Sequence, residues 1–262
     1  MAKKLLETGR IVRNERIAPG IFCMAVETPR VAAASAPGQF VHVRAAENPV
    51  QFLRMPFAVY DVTPGGGIDI CYQVVGEGTE QLSQLAAGDA LDVVGPVGNG
   101  WAPPAGTRHA LLVAGGVGAP ALNLLARQLA SNGVQVDAVL GAQTKEKFAC
   151  VERIQASVEQ SGGSLFLTTD DGSFGTRGFV TAESDALIAS GACDYVAVCG
   201  PTPMMRNVVR PALAHGVPCQ VSMEKLMACG VGACLSCVVE TTAGRRRCCV
   251  DGPVFDAAEV IW

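Results

Sequence analysis

The chain has 262 residues, of which 49% are hydrophobic and 17% charged, and its formal net charge is -4. This much apolar material excludes a disordered chain, and the slight negative charge argues against a nucleic-acid-binding surface. The first residues lack the apolar stretch of a signal peptide, and glycines and a proline break the longest apolar run, 110–126. We therefore expect a cytoplasmic protein without a membrane span, built from two compact units and a small appendage.

Residues 1–104 are predicted to form a small antiparallel β-barrel. Short β-rich runs alternate with turn residues, as in 40–44 and 68–72. The three glycines after Pro64 indicate a hairpin turn between two strands. The loop at 101–106, with two prolines and a glycine, indicates the end of this region.

Residues 105–218 are predicted to form a parallel α/β domain. An apolar strand leads through a glycine turn into a helix at 119–131, in which leucines recur at helical spacing. Strands and helices then alternate as far as a strand at 195–199, which is typical of a parallel sheet covered by helices. The remaining segment, 219–262, is too short for another ordinary domain, yet it is rich in cysteine. We expect a small cap there, organised by a metal centre.

Eleven cysteines in a cytosolic chain indicate metal ligands or buried thiols rather than a disulfide framework. Five lie between residues 229 and 249, whereas the others are scattered singly beside apolar segments. Apart from Cys199, these are predicted to be small buried side chains: Cys23, Cys71, Cys150, Cys193 and Cys219.

The clustered cysteines have the spacing C-x4-C-x2-C plus a distant cysteine, which matches a plant-type [2Fe-2S] site. Gly230 and Gly232 allow the loop to wrap around bridging sulfides. Structural zinc and uncoordinated thiols are the alternatives, and a Rieske site is excluded because no histidine lies nearby. Cys248 and Cys249 both qualify as the fourth ligand; on a strand at 245–250 only one of them would face the site. The predicted first three ligands are Cys229, Cys234 and Cys237.

A glycine motif, Ala114-Gly-Gly-Val-Gly-Ala-Pro120, follows a predicted strand and opens a helix. Glycine lets the backbone approach a pyrophosphate, and a helix N-terminus offers free N–H groups to an anion. The alternative is a turn that only packs the helix on the strand. A second motif, Cys199-Gly200-Pro201, ends a later strand, and ligands of such sheets bind at the carboxyl ends of strands. Both motifs would lie on that edge.

A third element is Arg54, with Gly78-Thr79 after the next strand. An arginine beside a glycine-threonine turn can hold a dinucleotide pyrophosphate through charge-assisted bonds and backbone donors. A solvated arginine on a barrel edge is the alternative interpretation.

Taken in order, these motifs resemble the ferredoxin reductase superfamily and, more narrowly, the electron-transfer subunits of NAD-dependent (class 1B) dihydroorotate dehydrogenase. The resemblance spans nearly the whole chain and includes Gly95-Pro-Val-Gly-Asn-Gly100, Thr169-Asp-Asp-Gly-Ser173 and Cys249-Val-Asp-Gly-Pro-Val-Phe255. It implies an N-terminal Greek-key FAD-binding barrel (1–104), a parallel α/β NAD-binding domain (105–218) and a C-terminal [2Fe-2S] cap (219–262). It also implies an FMN-containing catalytic partner in a heterotetramer of two plus two subunits. The family's C-x-D-G-P pattern makes Cys249 the fourth cluster ligand and leaves Cys248 as a spare thiol.

The resemblance also implies the nucleotide sites. The superfamily's R-x-Y/F-S/T flavin signature aligns with Met55-Pro-Phe-Ala58, so its arginine and its hydroxyl are missing, and Arg54 is the adjacent substitute. If Arg54 points away from the flavin, FAD binding must rest on the glycine-threonine turn and on backbone groups such as the N–H of Ala58. The expected FAD-binding residues are Arg54, Pro56, Phe57, Ala58, Gly78 and Thr79.

By the same resemblance, Cys199 lies near the nicotinamide and is the only candidate catalytic side chain, with a plain strand-end cysteine as the alternative. Asp170 and Asp171 would repel a 2'-phosphate, which favours NAD over NADP, whereas Arg177 nearby acts in the opposite direction. The expected NAD-binding residues are Gly115, Gly116, Gly118, Asp170, Asp171, Cys199, Gly200 and Pro201.

The implied function is electron transfer between a partner's FMN, where dihydroorotate is oxidised for pyrimidine biosynthesis, and NAD+, through the cluster and FAD. The cofactors then supply the chemistry and the protein orients them. The nearest alternative is a flavin subunit of another NAD-linked complex, such as an electron-bifurcating transhydrogenase or a sulfide dehydrogenase. Those relatives commonly have aspartate where Cys229 stands, so the full cysteine set favours the first interpretation. An alternative of another class is a non-enzymatic module with zinc in its cap.

Overall fold

A computed structural model describes residues 4–45 and 53–262. The N-terminal part of the chain forms a seven-stranded antiparallel sheet with the order β4-β3-β7-β1-β2-β6-β5. The predicted antiparallel barrel is thereby confirmed. Its elements are β1 (Leu5–Ala18), β2 (Ile21–Glu27), α1 (Pro29–Ala34), β3 (Phe40–Ala45), β4 (Met55–Ala58), β5 (Asp61–Thr63), β6 (Gly67–Gln73), α2 (Glu77–Gln84) and β7 (Ala90–Val97).

Alternation of side chains between the two faces explains how this sheet closes on a core. Ile11, Met24, Ile70 and Leu91, from four different strands, are completely enclosed. Such inward positions, two residues apart along a strand, are where a half-buried sheet places its apolar side chains. The hairpin predicted after Pro64 joins β5 to β6.

The second sheet also has seven strands, in the order β11-β10-β9-β8-β12-β13-β16, and it is parallel except for its last strand. Helices cover both faces, which confirms the predicted α/β domain. Its elements are β8 (His109–Gly115), α3 (Pro120–Ser131), β9 (Gln135–Ala142), α4 (Val151–Ser161), β10 (Leu165–Thr169), β11 (Thr176–Arg177), α5 (Val180–Ala189), β12 (Tyr195–Cys199), α6 (Thr202–Ala214), β13 (Cys219–Ser222) and β16 (Val254–Asp256).

The C-terminal segment is less separate than a cap. Its strands β13 and β16 are the edge of the parallel sheet, with Ser222 paired to Val254. Only the residues between these two strands project from the sheet, and they include a short hairpin of β14 (Val238–Thr241) and β15 (Gly244–Arg247). The predicted boundary after residue 218 therefore crosses a continuous sheet, and the domain limits stay a proposal.

Polar side chains join the barrel to the α/β domain. Asn123 on α3 donates a hydrogen bond to the carbonyl oxygen of Tyr60, at 2.9 Å. Asp69 of β6 is fully buried, and its Oδ2 lies 2.7 Å from a guanidinium nitrogen of both Arg13 and Arg153. Charge pairs thus cross the boundary between the two sheets. Among the described residues, no helix is both long enough and apolar enough to cross a bilayer.

Candidate cofactor sites

The cysteine-rich loop between β13 and β14 has the backbone conformation that a tight wrap requires. Gly230, Gly232 and Leu235 all have positive φ, at 65°, 87° and 59°. A Cβ on Gly230 would lie 2.8 Å from Nδ1 of His42, and one on Gly232 would lie 2.6 Å from Val250. Both glycines are therefore fixed by left-handed backbone and by close neighbours, as the sequence predicts for a loop around a cluster.

The fold brings the four predicted ligand thiols close enough to interact with one another. The side chain of Cys229 interacts with that of Cys234, and the side chain of Cys249 interacts with that of Cys237. In the described ranges no three cysteine, histidine or carboxylate side chains converge on a single point, as they would in a mononuclear metal site. A [2Fe-2S] cluster takes four thiolates, two on each iron, and the four predicted cysteines supply that number.

Backbone amides stabilise the thiolate of the first ligand. The N–H groups of Val231 and Cys234 both point at Sγ of Cys229, at 3.4 Å. Partial desolvation raises the pKa of Cys229, but the hydrogen bonds from Cys234 and Val231 outweigh it and lower the pKa to about 6. A thiolate is the form that binds iron, and N–H bonds to sulfur are typical around such clusters.

The choice between Cys248 and Cys249 does not depend on strand alternation. Strand β15 ends at Arg247, and both cysteines lie in the following turn with no exposed surface. The N–H of Cys248 donates to the carbonyl oxygen of Cys237, at 2.9 Å, whereas the thiol of Cys249 interacts with the thiol of Cys237. The ligand set, with Cys249 as its fourth member, stays a prediction.

Two polar contacts that the sequence did not reveal hold the turn that carries Cys249. The Arg247 guanidinium bonds to the carboxylate of Asp251, with Nε 3.1 Å from Oδ2, and to the carbonyl oxygen of Gly232, at 3.3 Å. Asn99, two residues after β7, donates from Nδ2 to the carbonyl oxygens of Val250 and Asp251, both at 3.2 Å. The opposite charges four residues apart, at 247 and 251, were the only sequence signal for the first contact.

The two motifs predicted to hold NAD do meet at the carboxyl edge of the parallel sheet. A Cβ on Gly118 would lie 2.3 Å from the carbonyl oxygen of Cys199, and one on Gly200 would lie 3.0 Å from the backbone nitrogen of Gly115. Pro201 packs beside Gly115 as well. Gly116, which has a positive φ of 55°, has no atom within 4 Å of its Cβ position and leaves open space there. The structure brings these residues together where a dinucleotide would bind such a sheet.

The remaining predicted NAD residues lie on the same edge. Asp170 and Asp171 form the exposed turn after β10, and hydrogen bonds from Ser173 hold the pKa of Asp171 below its usual value. Cys199 ends β12, where burial, partly offset by a hydrogen bond with Ser222, raises its pKa to about 12. The thiol of Cys199 therefore stays protonated at neutral pH and is a poor nucleophile.

Arg54 and Thr79, two of the predicted flavin-binding residues, make hydrogen bonds within the protein. Arg54 directs Nη2 to Oδ2 of Asp92, at 2.7 Å, and Nε to Oδ1, at 3.2 Å. The Thr79 hydroxyl accepts hydrogen bonds from the N–H groups of Val75 and Gly76, at 2.9 and 3.1 Å. Thr79 thus shapes the start of α2, and its contribution to a pyrophosphate would come from the free N–H groups of that first helical turn, which also contains Gly78. The flavin residues stay predictions.

His42 is a residue that the sequence did not single out. It lies on β3 opposite Pro56 of the predicted flavin strand, and its ring contacts the Gly230 position of the cysteine loop. The imidazole is 1% exposed, and its Nε2 has no hydrogen-bond partner among the described residues. Burial, with the nearby charges of Arg54 and Lys4, lowers its pKa to about 4, so the ring is neutral at physiological pH.

Two family models match the chain. Residues 224–261 match the iron-sulfur cluster binding domain of dihydroorotate dehydrogenase B. Residues 112–210 match the oxidoreductase NAD-binding domain. The matched segments contain the cysteine loop and the two nucleotide motifs.

Among solved structures, an NADH-dependent reduced ferredoxin-NADP oxidoreductase, studied for flavin-based electron bifurcation, is 36% identical with a TM-score of 0.87, and the match covers 97% of this chain and 90% of that one. A ferredoxin reductase of carbazole 1,9a-dioxygenase has a TM-score of 0.71 at 21% identity, over 82% of this chain and 67% of that one, and so shares the fold. Both support the ferredoxin reductase architecture.

Curated relatives give a narrower placement. The electron transfer subunit of dihydroorotate dehydrogenase B (NAD+) from Desulforamulus reducens is 36% identical over 94% of both chains. The subunit of the same name from Bacillus caldolyticus is 43% identical over 86% of both chains. At this identity and coverage, the chain belongs to the family of dihydroorotate dehydrogenase B electron transfer subunits.

Proposed function

We propose that this protein passes electrons between the FMN of a dihydroorotate-oxidising partner and NAD+, through a [2Fe-2S] cluster and FAD. The observation that carries the proposal is the set of four cysteines at cluster spacing, within a segment that matches the family's iron-sulfur domain. When bound, the cluster supplies single-electron transfer and the flavin supplies the exchange between single electrons and a hydride.

The protein's own part is to bind and orient these groups. Cys229, Cys234, Cys237 and Cys249 would hold the cluster, and the backbone N–H groups at Cys229 would stabilise its thiolate. The start of α2 and strand β4 would hold FAD, and the glycine turn with Gly200 would hold NAD. No side chain is proposed as a general acid or base, since burial raises the pKa of the Cys199 thiol to about 12 and keeps it protonated at neutral pH.

Exposed apolar side chains around the cluster loop support docking of the catalytic partner there. Leu226, Val231 and Leu235 are 88%, 55% and 62% exposed, although each lies within a few residues of a predicted ligand. An apolar rim around a redox centre is what a partner would cover to bring its own cofactor close. We propose a cytoplasmic heterotetramer of two such subunits with two catalytic subunits.

A second candidate function is that of the flavin subunit of an electron-bifurcating complex. It is favoured by the structural match at 36% identity to the bifurcating oxidoreductase. The presence of a cysteine at position 229, which completes the ligand set, favours dihydroorotate coupling instead, because the bifurcating relatives commonly have aspartate at that position.

Co-expression with the dihydroorotate dehydrogenase catalytic chain tests the proposal. We expect a stable complex in which NAD+ reduction depends on dihydroorotate. We also expect flavin and about two irons and two acid-labile sulfides per chain of this subunit. Cys249→Ser should remove the cluster and the coupling, whereas the matched control Cys248→Ser should retain both.

Two results would contradict the proposal. One equivalent of zinc with no iron would exclude the redox site. Normal cofactor content without association or coupling would exclude the dihydroorotate partner and favour the bifurcating alternative.

A further inference from the structure

Three thiols meet where the barrel contacts the α/β domain. Cys23 and Cys71 are cross-strand partners on β2 and β6, and Cys150 is the residue that precedes α4. The Sγ atoms of Cys71 and Cys150 are 2.9 Å apart, and Cys71 also hydrogen-bonds to Cys23. The sequence predicted each of these cysteines as a solitary buried thiol. Burial is confirmed, at 7%, 7% and 5% exposure, but the three form one group, which we call the thiol cluster.

The separation of Cys71 and Cys150 is close to that of a covalent bond. A disulfide has an S–S distance of about 2 Å, so a relative movement of about 1 Å would allow the bond to form. Cys150 has a φ of 64°, a conformation that non-glycine residues seldom adopt. Arg153, one helical turn later, is anchored on Asp61 and Asp69 of the barrel and holds this end of α4 in place.

Neighbouring charges and hydrogen bonds shift the pKa values of Cys23 and Cys71 in opposite directions. The hydrogen bond from Cys71, aided by the Arg13 guanidinium and opposed by burial and by Asp69, lowers the pKa of Cys23. Hydrogen bonds with Cys150 and Cys23, together with burial, raise the pKa of Cys71. Of these two cross-strand partners, Cys23 is therefore the one that reaches the thiolate form first.

We propose that the thiol cluster is a peroxide-sensitive modification site in which oxidation closes a disulfide between Cys71 and Cys150 and ties the two domains together. In the first step the Cys23 thiolate attacks one peroxide oxygen, the O–O bond breaks, and water leaves after protonation. Cys23 becomes a sulfenic acid. Cys71 then attacks the Cys23 sulfur, the S–O bond breaks and a second water leaves.

The last step is an exchange. Cys150 attacks the Cys71 sulfur, the Cys71–Cys150 bond forms and the Cys23–Cys71 bond breaks. The proton lost by Cys150 passes to Cys23, which leaves as a thiol. Overall, two thiols lose two hydrogen atoms and one molecule of hydrogen peroxide is reduced to two waters. A dithiol reductant reverses the modification by the same exchange chemistry.

A Cys71–Cys150 bond would lie beside the expected nucleotide sites. Phe148, Ala149 and Val151, on either side of Cys150, line a small cavity together with Gly116 and Gly141 at the carboxyl edge of the parallel sheet. A bond from Cys150 to β6 would fix this wall of the cavity to the barrel. Oxidation of the thiol cluster would therefore act on the region where both nucleotides are expected.

Peptide mapping of the holoprotein tests the proposal directly, because the three thiols lie in different tryptic peptides: 17–30, 55–108 and 148–153. The protein would be treated with hydrogen peroxide, unfolded in an alkylating agent, digested and examined by mass spectrometry. We expect peptides 55–108 and 148–153 to be joined with the loss of two hydrogen atoms, and to separate again after treatment with dithiothreitol.

Three variants sharpen the test. Cys150→Ser should abolish this crosslink, and Cys193→Ser, a change at an equally buried thiol outside the cluster, should leave it unchanged. Cys23→Ser should form the same crosslink at least about tenfold more slowly, because the reactive thiolate is gone. Alkylation of all three thiols after peroxide treatment, or a stable crosslink between 17–30 and 55–108, would overturn the proposal. Unchanged kinetics in Cys23→Ser would overturn the role of Cys23.

Discussion

Replacing Arg153 by alanine tests whether charge pairs hold the two domains together. Asp69 has no exposed surface, and its Oδ2 is bonded to Arg153 and Arg13, both at 2.7 Å. Arg153 also pairs with Asp61 and lies over the Tyr60 ring, with its guanidinium carbon 4.6 Å from the ring centre. The variant would leave a buried carboxylate with a single partner.

Removal of one partner of a buried pair costs about 3–5 kcal/mol, and the lost cation–π contact adds about 0.5–1 kcal/mol. Because Arg13 remains on Asp69, we expect the lower end of this range, about 3 kcal/mol in the free energy of unfolding. Urea unfolding of wild type and variant would measure it as a lower midpoint at similar slope.

The matched control is Arg10→Ala. Arg10 pairs with Glu27 at 3.0 Å, but the two side chains are 65% and 47% exposed, so its loss should cost less than about 1 kcal/mol. If Arg153→Ala costs no more than this control, the buried interface pair does not stabilise the protein, and the reasoning from burial is wrong.

Three further predictions concern the cofactor sites. Gly230→Ala should lower the iron content by at least about half, because the new Cβ would lie 2.8 Å from His42 on a backbone with positive φ. The control is Gly65→Ala in an open turn, and both variants would be compared with wild type by iron analysis. Gly118→Ala should raise the Kd for NAD at least about tenfold in calorimetry, because its Cβ would lie 2.3 Å from the carbonyl oxygen of Cys199, and unchanged affinity would contradict the assignment of this turn. Since the pKa of Cys199 is raised to about 12, its alkylation rate should keep rising up to that pH, and a plateau near pH 9 would refute a buried thiol.

Local patterns predicted the parts of the fold that local forces determine. The helix at 119–131 is observed as Pro120–Ser131, because its apolar side chains recur at the helical period. The glycine turn and the Cys199-Gly200 turn also meet as predicted, because parallel strands bring their carboxyl ends to one edge.

Contacts between residues far apart in the sequence could not be predicted from local patterns. Arg54 was predicted beside a pyrophosphate, but its pairing with Asp92 depends on how β4, β3 and β7 are placed in the sheet. Cys71 and Cys150 are 79 residues apart, and no local pattern connects them. The two adjacent cysteines were considered on a strand, whereas the strand ends one residue earlier, at Arg247.

The pairing of Ser222 with Val254 makes the cluster segment a loop that is closed at its base. Both ends of residues 223–253 are anchored in the parallel sheet by backbone pairing that involves none of the predicted cluster ligands. Formation of the sheet therefore closes this loop, and strand pairing offsets the entropic cost of closure before iron binds. We therefore expect assembly of the iron-sulfur centre to be a local event on a preformed scaffold, and we expect iron to be removable and restorable while the rest of the molecule stays folded.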